Sequence, residues 1–248
     1  MDFNLRRITW VVAIVAFICM GSCNSVDDCF RGTGDIIKEV RNTGFFNRIQ
    51  LRSNVDVIVH KDSVQRITIT AGENLLKGIQ TINESGVLKI SNTNACNWVR
   101  KLNPQITVDV YTPEILSIFC EDATGNILFA DTMESNEFRL DSYASMGSYR
   151  LKLKNQITTL ALHNGPADLV AYGITQTLYQ YNAGFGELNC ESLKSAQCYA
   201  TNKGTNNSYL YATEILEVKI EYNGNIYYRG NPANIIQTVK GNGRLIHF

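Results

Sequence analysis

The chain has 248 residues, enough for one large or two small domains, and its 44% apolar share is ample for a core. Basic and acidic side chains balance at 23 each, so no charge excess points to a nucleic-acid partner. Four prolines and three histidines leave little material for a histidine-based catalytic or metal centre.

Residues 1–22 read as a secretory signal. Arg6 and Arg7 form a basic start, and Ile8 to Met20 form an apolar run, shorter than the roughly 20 residues that span a bilayer. Gly21 and Ser22 supply the small residues found before a cleavage site, and Cys23 follows directly. A cysteine in this place resembles a bacterial lipobox, which implies a diacylated Cys23 at the new N-terminus and a membrane partner through that lipid. The other reading is an ordinary cleaved signal with an unmodified cysteine. Residues 23–34 form an acidic tether, with Asp27 and Asp28 near its start. It resembles the export signals that carry lipoproteins of Bacteroidetes-type bacteria to the outer face of the cell, and it also fits a plain solvated linker.

Without Cys19 and Cys23, five cysteines remain, an odd number that leaves at least one unpaired within a monomer. Cys29 and Cys96 lie in polar loops and are the expected disulfide pair. Cys120, Cys190 and Cys198 fall on inward strand positions, where cysteine acts as a small apolar residue. No CxxC motif or Cys/His cluster supports zinc, and neither a metal nor a cofactor is expected.

The folded domain is expected over 35–248 and to be all-β. In its first half, 35–112, Ile49 and Leu51, then Val55, Val57 and Val59, alternate with polar residues around a Ser53-Asn54 bend. Further strands follow at Ile67–Ala71, Val87–Ile90 and Ile106–Tyr111, and Asn74–Gly78 offers one short helical turn. From 113 to 248 the pattern becomes periodic. Turns at Gly125-Asn126, Asn164-Gly165, Gly184-Phe185-Gly186, Lys203-Gly204, Asn223-Gly224-Asn225 and Gly241-Asn242-Gly243 recur about every twenty residues. Each unit carries two or three short strands, too few to bury a face alone. Stacked as parallel rungs, their inward residues would form one core, so the expected fold is a parallel β-helix-like solenoid with a less regular N-terminal half. An up-and-down barrel or sandwich is the competing reading. The Asn-Gly turns are expected to use positive φ, which these residues tolerate.

Four segments carry a family resemblance: Asp35-Ile36-Ile37, Gly44–Ile49, Asn54–Val57 and Asn223–Pro232, with Gly241–Ile246 closing the chain. In this order they resemble the head GIN domain of putative auto-transporter adhesins, over about Gly32 to Ile246. The resemblance implies a β-helix-like fold in a bacterial envelope protein, here an outer-membrane lipoprotein, with a role in adhesion and no agreed catalytic residues. Asn164-Gly165-Pro166 and Gly184-Phe185-Gly186 stand where the family has glycine-serine-glycine-aspartate turns.

Eleven of the twelve tyrosines lie beyond residue 142. In the rung alignment Tyr179, Tyr181 and Tyr199 project outward on neighbouring strands, flanked by His163, Gln197 and Lys219. Aromatic rings beside amide and basic groups can stack on sugar rings and bond their hydroxyls, so this strip is the candidate surface for a glycan or an envelope protein. Lateral aromatic pairing that only stabilises the strands is the alternative. Calcium would need a ladder of turn aspartates, and only Asp122 and Asp168 stand in turns. A carbohydrate-active enzyme, lyase or glycosidase, is the rival function. Its acids would come from Asp109, Glu121, Asp122, Asp141 and Asp168, but no spacing forces these together, and a non-catalytic adhesin or scaffold is expected.

Overall fold

The computed structural model of the chain describes residues 32–94 and 105–248. The signal segment, Cys23 and the Cys29–Cys96 pairing lie outside those residues.

The first half contains β1 (Ile36–Arg41), β2 (Arg48–Ser53), β3 (Asp56–Lys61) and β4 (Arg66–Gly72), then a 3₁₀ helix (Glu73–Gly78), β5 (Ile79–Glu84), β6 (Val87–Asn92) and β7 (Thr107–Thr112). Next come β8 (Ser117–Ala123), β9 (Ile127–Phe129), β10 (Met133–Tyr143), β11 (Ser148–Leu162), β12 (Asp168–Asn182), β13 (Leu188–Asn202) and β14 (Ser208–Ile220). The chain closes with β15 (Ile226–Arg229), β16 (Asn234–Val239) and β17 (Leu245–His247).

These strands coil into a β-solenoid of about seven turns with two long faces. One face runs β1-β4-β7-β3-β9, then through the first halves of β11 to β14 to β15 and β17. The other runs β5-β6-β2-β8-β10, then through the second halves of β11 to β14 to β16. Only β1/β4, β4/β7 and β5/β6 are antiparallel, which is the irregularity expected of the first half. Beyond them every rung lies parallel on the last: Thr159 opposes Tyr179, Tyr179 opposes Tyr199, and Tyr199 opposes Glu217. Parallel pairing at this offset rules out the up-and-down barrel, whose neighbouring strands are antiparallel.

The strands differ from expectation in length. β11, β12 and β13 are each 15 residues long and turn the corner between the faces without a break, where two or three short strands were expected. Buried polar side chains make this possible. At that corner Asn155 donates to the Ser135 carbonyl at 3.1 Å, Thr175 to the Thr177 carbonyl at 3.1 Å, and Ser195 to the Tyr211 carbonyl at 2.6 Å. Backbone groups loosened by the bend thus keep partners inside the core.

Period-2 alternation puts Ile49, Ile118, Leu140, Leu160 and Val218 on one inward line, all essentially inaccessible. Burying each such side chain stabilises the fold by about 1.5–3 kcal/mol. Cys120, Cys190 and Cys198 are buried free thiols, and burial pushes Cys120 and Cys198 up to about 12. Gln180 interrupts the apolar line. Its Nε2 donates to the carbonyls of Leu188 (3.1 Å) and Tyr209 (3.2 Å), while its buried Oε1 finds no partner among the described residues.

At the second corner the turns depart from expectation. Gly165 has φ of 87°, but Gly125, Gly184, Gly186, Gly204, Gly224, Gly241 and Gly243 do not adopt positive φ. They are required by close approach between rungs: a Cβ on Gly186 would sit 1.8 Å from the Ala167 carbonyl oxygen. Two buried asparagines brace this corner. Asn182 donates to the Gly186 carbonyl (3.1 Å) and accepts from the Gly184 amide (3.2 Å). One rung on, Asn202 donates to Asn206 (3.0 Å) and Asn225 (3.2 Å) and accepts from Gly204 (2.9 Å).

Candidate functional site

The face formed by β8, β10 and the second halves of β11 to β14 carries an outward aromatic array. Because side chains alternate and rungs align, residues twenty apart become lateral neighbours. Tyr179 and Tyr199 stack with ring centroids 5.3 Å apart and planes 18° from parallel. In the adjoining columns Phe119 packs on Tyr143 (5.5 Å), Tyr143 stacks on His163 (4.0 Å, 6°), and His163 meets Tyr181 (5.3 Å). Lys203 lies 5.9 Å from the Tyr181 ring centroid and pairs with Glu221.

The rings border a shallow cleft of about 220 Å³, lined by Thr159, Tyr179, Tyr181, Tyr199, Glu217 and Lys219 among others. Lys219 lies 3.5 Å from Glu217, so a cation and an anion stand together beside the tyrosines. Tyr179 is 45% exposed. All five residues singled out in the sequence meet on this face: Tyr179, Tyr181, Tyr199 and Lys219 in the cleft, and His163 against Tyr181. Gln197 sits 3.5 Å from the Tyr199 hydroxyl. Sequence reasoning missed Glu217 and Thr159, although their alternation with Leu216 and Leu160 marks both as outward.

Beside the array His163 Nε2 lies 2.9 Å from Asp141, which also pairs with Arg139. Burial raises the Asp141 carboxyl, but the bonds from Arg139 and His163 outweigh it and hold the group below the usual carboxylate value. A comparable arrangement occupies the other face: His60 contacts Asp109 at 2.8 Å and stacks on Tyr111, with Arg66 over the Tyr111 ring. Aromatic pairing is therefore common to both faces. What sets the cleft apart is a concavity that combines three tyrosines with a half-buried acid and an exposed base.

Four of the five acids considered for catalysis are engaged by other side chains or by backbone. Asp109 engages His60, Asp141 engages Arg139 and His163, Glu121 pairs with Arg52, and Asp168 accepts the Glu187 amide at 2.7 Å. Among the described residues no group of three or more His, Cys, Asp or Glu is placed to hold a metal ion. No helix among them is long and apolar enough to cross a membrane.

A parallel β-solenoid holds its outward side chains at fixed spacing along stacked strands. The chain matches the family described as putative auto-transporter adhesin, head GIN domain, over residues 45–232, and it belongs to that family. The family is one of adhesin-like proteins of the cell envelope or surface. Among solved structures the chain is similar to a putative adhesin from Bacteroides fragilis NCTC 9343, with 18% identity and a TM-score of 0.77 over 86% of this chain and 97% of that one. It is also similar to a putative adhesin from Parabacteroides merdae ATCC 43184, with 20% identity and a TM-score of 0.68 over 88% and 98%. A putative lipid-binding protein from Parabacteroides distasonis ATCC 8503 matches with 15% identity and a TM-score of 0.65 over 88% and 98%. At these identities the likeness establishes the fold. Comparison with curated proteins finds no match.

Proposed function

We propose that this chain is an envelope-anchored, non-catalytic adhesin that binds a saccharide in the Tyr179–Tyr199 cleft. The supporting observation is the stacked, partly exposed tyrosine pair beside Tyr181, with Glu217 and Lys219 at the cleft. The apolar C–H face of a pyranose ring stacks on a tyrosine face, and its hydroxyls take hydrogen bonds from an ammonium and give them to a carboxylate. Glu217 is the one carboxylate among the cleft's described lining residues. Glycoside hydrolysis needs two carboxyl groups flanking one bond, so the cleft is better suited to holding a sugar than to cleaving it.

The anchor is assigned to Cys23 on the sequence reading of residues 1–34. Labelled palmitate should enter the wild type and not a Cys23→Ala variant, and equal labelling would refute the anchor. Function is tested by presenting the chain to a glycan array and then to a panel of polysaccharides. Retention of particular glycans with no release of reducing ends or unsaturated products is expected. Cleavage would move the chain to the enzymatic reading, and an array with no retained glycan would remove the saccharide.

A further inference from the structure

The edge strands at the two ends of the solenoid differ in charge: β1 leaves Ile36 66% and Val40 68% exposed but carries Lys38, Glu39 and Arg41, and β5 leaves Ile82 47% exposed but ends at Glu84. At the N-terminal end the 3₁₀ helix carries Leu75 and Leu76 into the core, where they are buried, and β4 leads into β5 through it. At the other end no strand pairs with the outer edge of β16 among the described residues. Ile235 opposes Leu216 and Val239 opposes Ile220, so both stand on the core line. Yet Ile235 is 43% and Val239 46% exposed, whereas Leu216 and Ile220 are fully covered. Solenoids ordinarily close such an end with a polar capping unit, and exposed sheet edges are ordinarily blunted by charge, proline or a bulge. β16 has none of these: its sequence is Asn-Ile-Ile-Gln-Thr-Val, without charge or proline.

Backbone geometry shows what this edge can accept. The Lys240 amide donates to the Ile220 carbonyl at 2.8 Å, which fixes the alternation along the strand. Even-numbered residues from Asn234 to Lys240 turn their backbone groups to β14, so Ile235, Gln237 and Val239 turn theirs to the open edge. Those three residues are symmetric about Gln237. In an antiparallel pairing of β16 with itself, Ile235 meets Val239 of the second copy and Gln237 meets Gln237. All three positions then fall on hydrogen-bonded pairs, like charges never face each other, and apolar side chains continue the core line from one solenoid into the next.

We propose that the C-terminal rung is a self-pairing edge through which two copies of this chain join end to end about a two-fold axis at Gln237. The axis is perpendicular to the sheet, so inward side chains remain inward across the junction and the interface is isologous. The cleft lies on the outer surface and takes no part in the pairing, so the proposal stands independently of the saccharide.

Cysteine cross-linking of the full chain in the envelope tests the register. Gln237→Cys places two thiols opposite one another, whereas in Asn234→Cys they lie about 20 Å apart along the strand. A dimer band on non-reducing gels above the wild-type background is expected for Gln237→Cys and absent for Asn234→Cys. The full chain purified in detergent should sediment as a dimer at about 100 μM, a concentration that fills even a micromolar interface. Gln237→Pro removes only an edge amide and leaves the ladder to β14 whole, so it should sediment as a monomer with an unchanged circular dichroism spectrum. Ile235→Lys should weaken the dimer at least about tenfold through edge charge. No cross-link at 237, equal cross-linking at 234, a monomeric wild type, or a dimer that survives both substitutions would each overturn the proposal.

Discussion

Asp141 shows how single residues on the aromatic face are held. It is 9% exposed, flanked by Arg139 on its own strand and His163 on the next rung, and ionised at neutral pH because those partners outweigh the cost of burial. A carboxyl whose folded value is lowered contributes stability above its unfolded value, near 3.9, and loses it as the pH falls through the folded value. Asp141→Asn should therefore lower stability at pH 7 by about 1–2 kcal/mol, a range kept small because Arg139 is largely solvent-exposed. Urea denaturation at pH 7 and again below pH 3 checks this: the gap between wild type and variant should close in acid, and a pH-independent gap would contradict it. The inward cysteines were legible in the sequence because period-2 alternation alone sorts them. Asn182 and Asn202 were not, since asparagine two residues before a turn glycine reads as an exposed turn residue, whereas both amides are buried and brace the corner.

At the scale of elements, the spacing of the turns revealed the rungs but not the reason for glycine. Positive φ was the expected cause, and in most turns the cause is instead the carbonyl of the preceding rung. Gly186→Ala should cost about 1–3 kcal/mol, toward the upper end because the clash is with backbone rather than a movable side chain. Gly32→Ala, with no atom within 4 Å of the added Cβ, should change stability by less than about 0.5 kcal/mol. Thermal or urea unfolding of the pair separates steric demand from a general intolerance of alanine, which would affect both. The continuous 15-residue strands escaped the sequence reading for a related reason. Asn155, Thr175 and Ser195 are polar and break the apolar alternation, yet they are buried at 7%, 2% and 0% exposure and carry the strand around the corner.

Taken whole, the described residues form a solenoid whose C-terminal edge strand, unlike those at the other end, carries no charge, and whose two flanks differ. Its repeat and inward core were written in the sequence as a period, and the tyrosine strip followed from the same alignment. The concavity was not, because it also needs Thr159, Glu217 and Lys219 beside the rings, and the β13–β14 register shifts before Tyr199 are not written in the glycine spacing. That cleft carries the functional claim, so the decisive measurement is saccharide affinity with and without its rings. For a glycan retained on the array, the Tyr181→Ala/Tyr199→Ala variant should bind at least about tenfold more weakly, with an unchanged circular dichroism spectrum. Undiminished affinity in that folded variant would contradict the assignment of the cleft as the binding site.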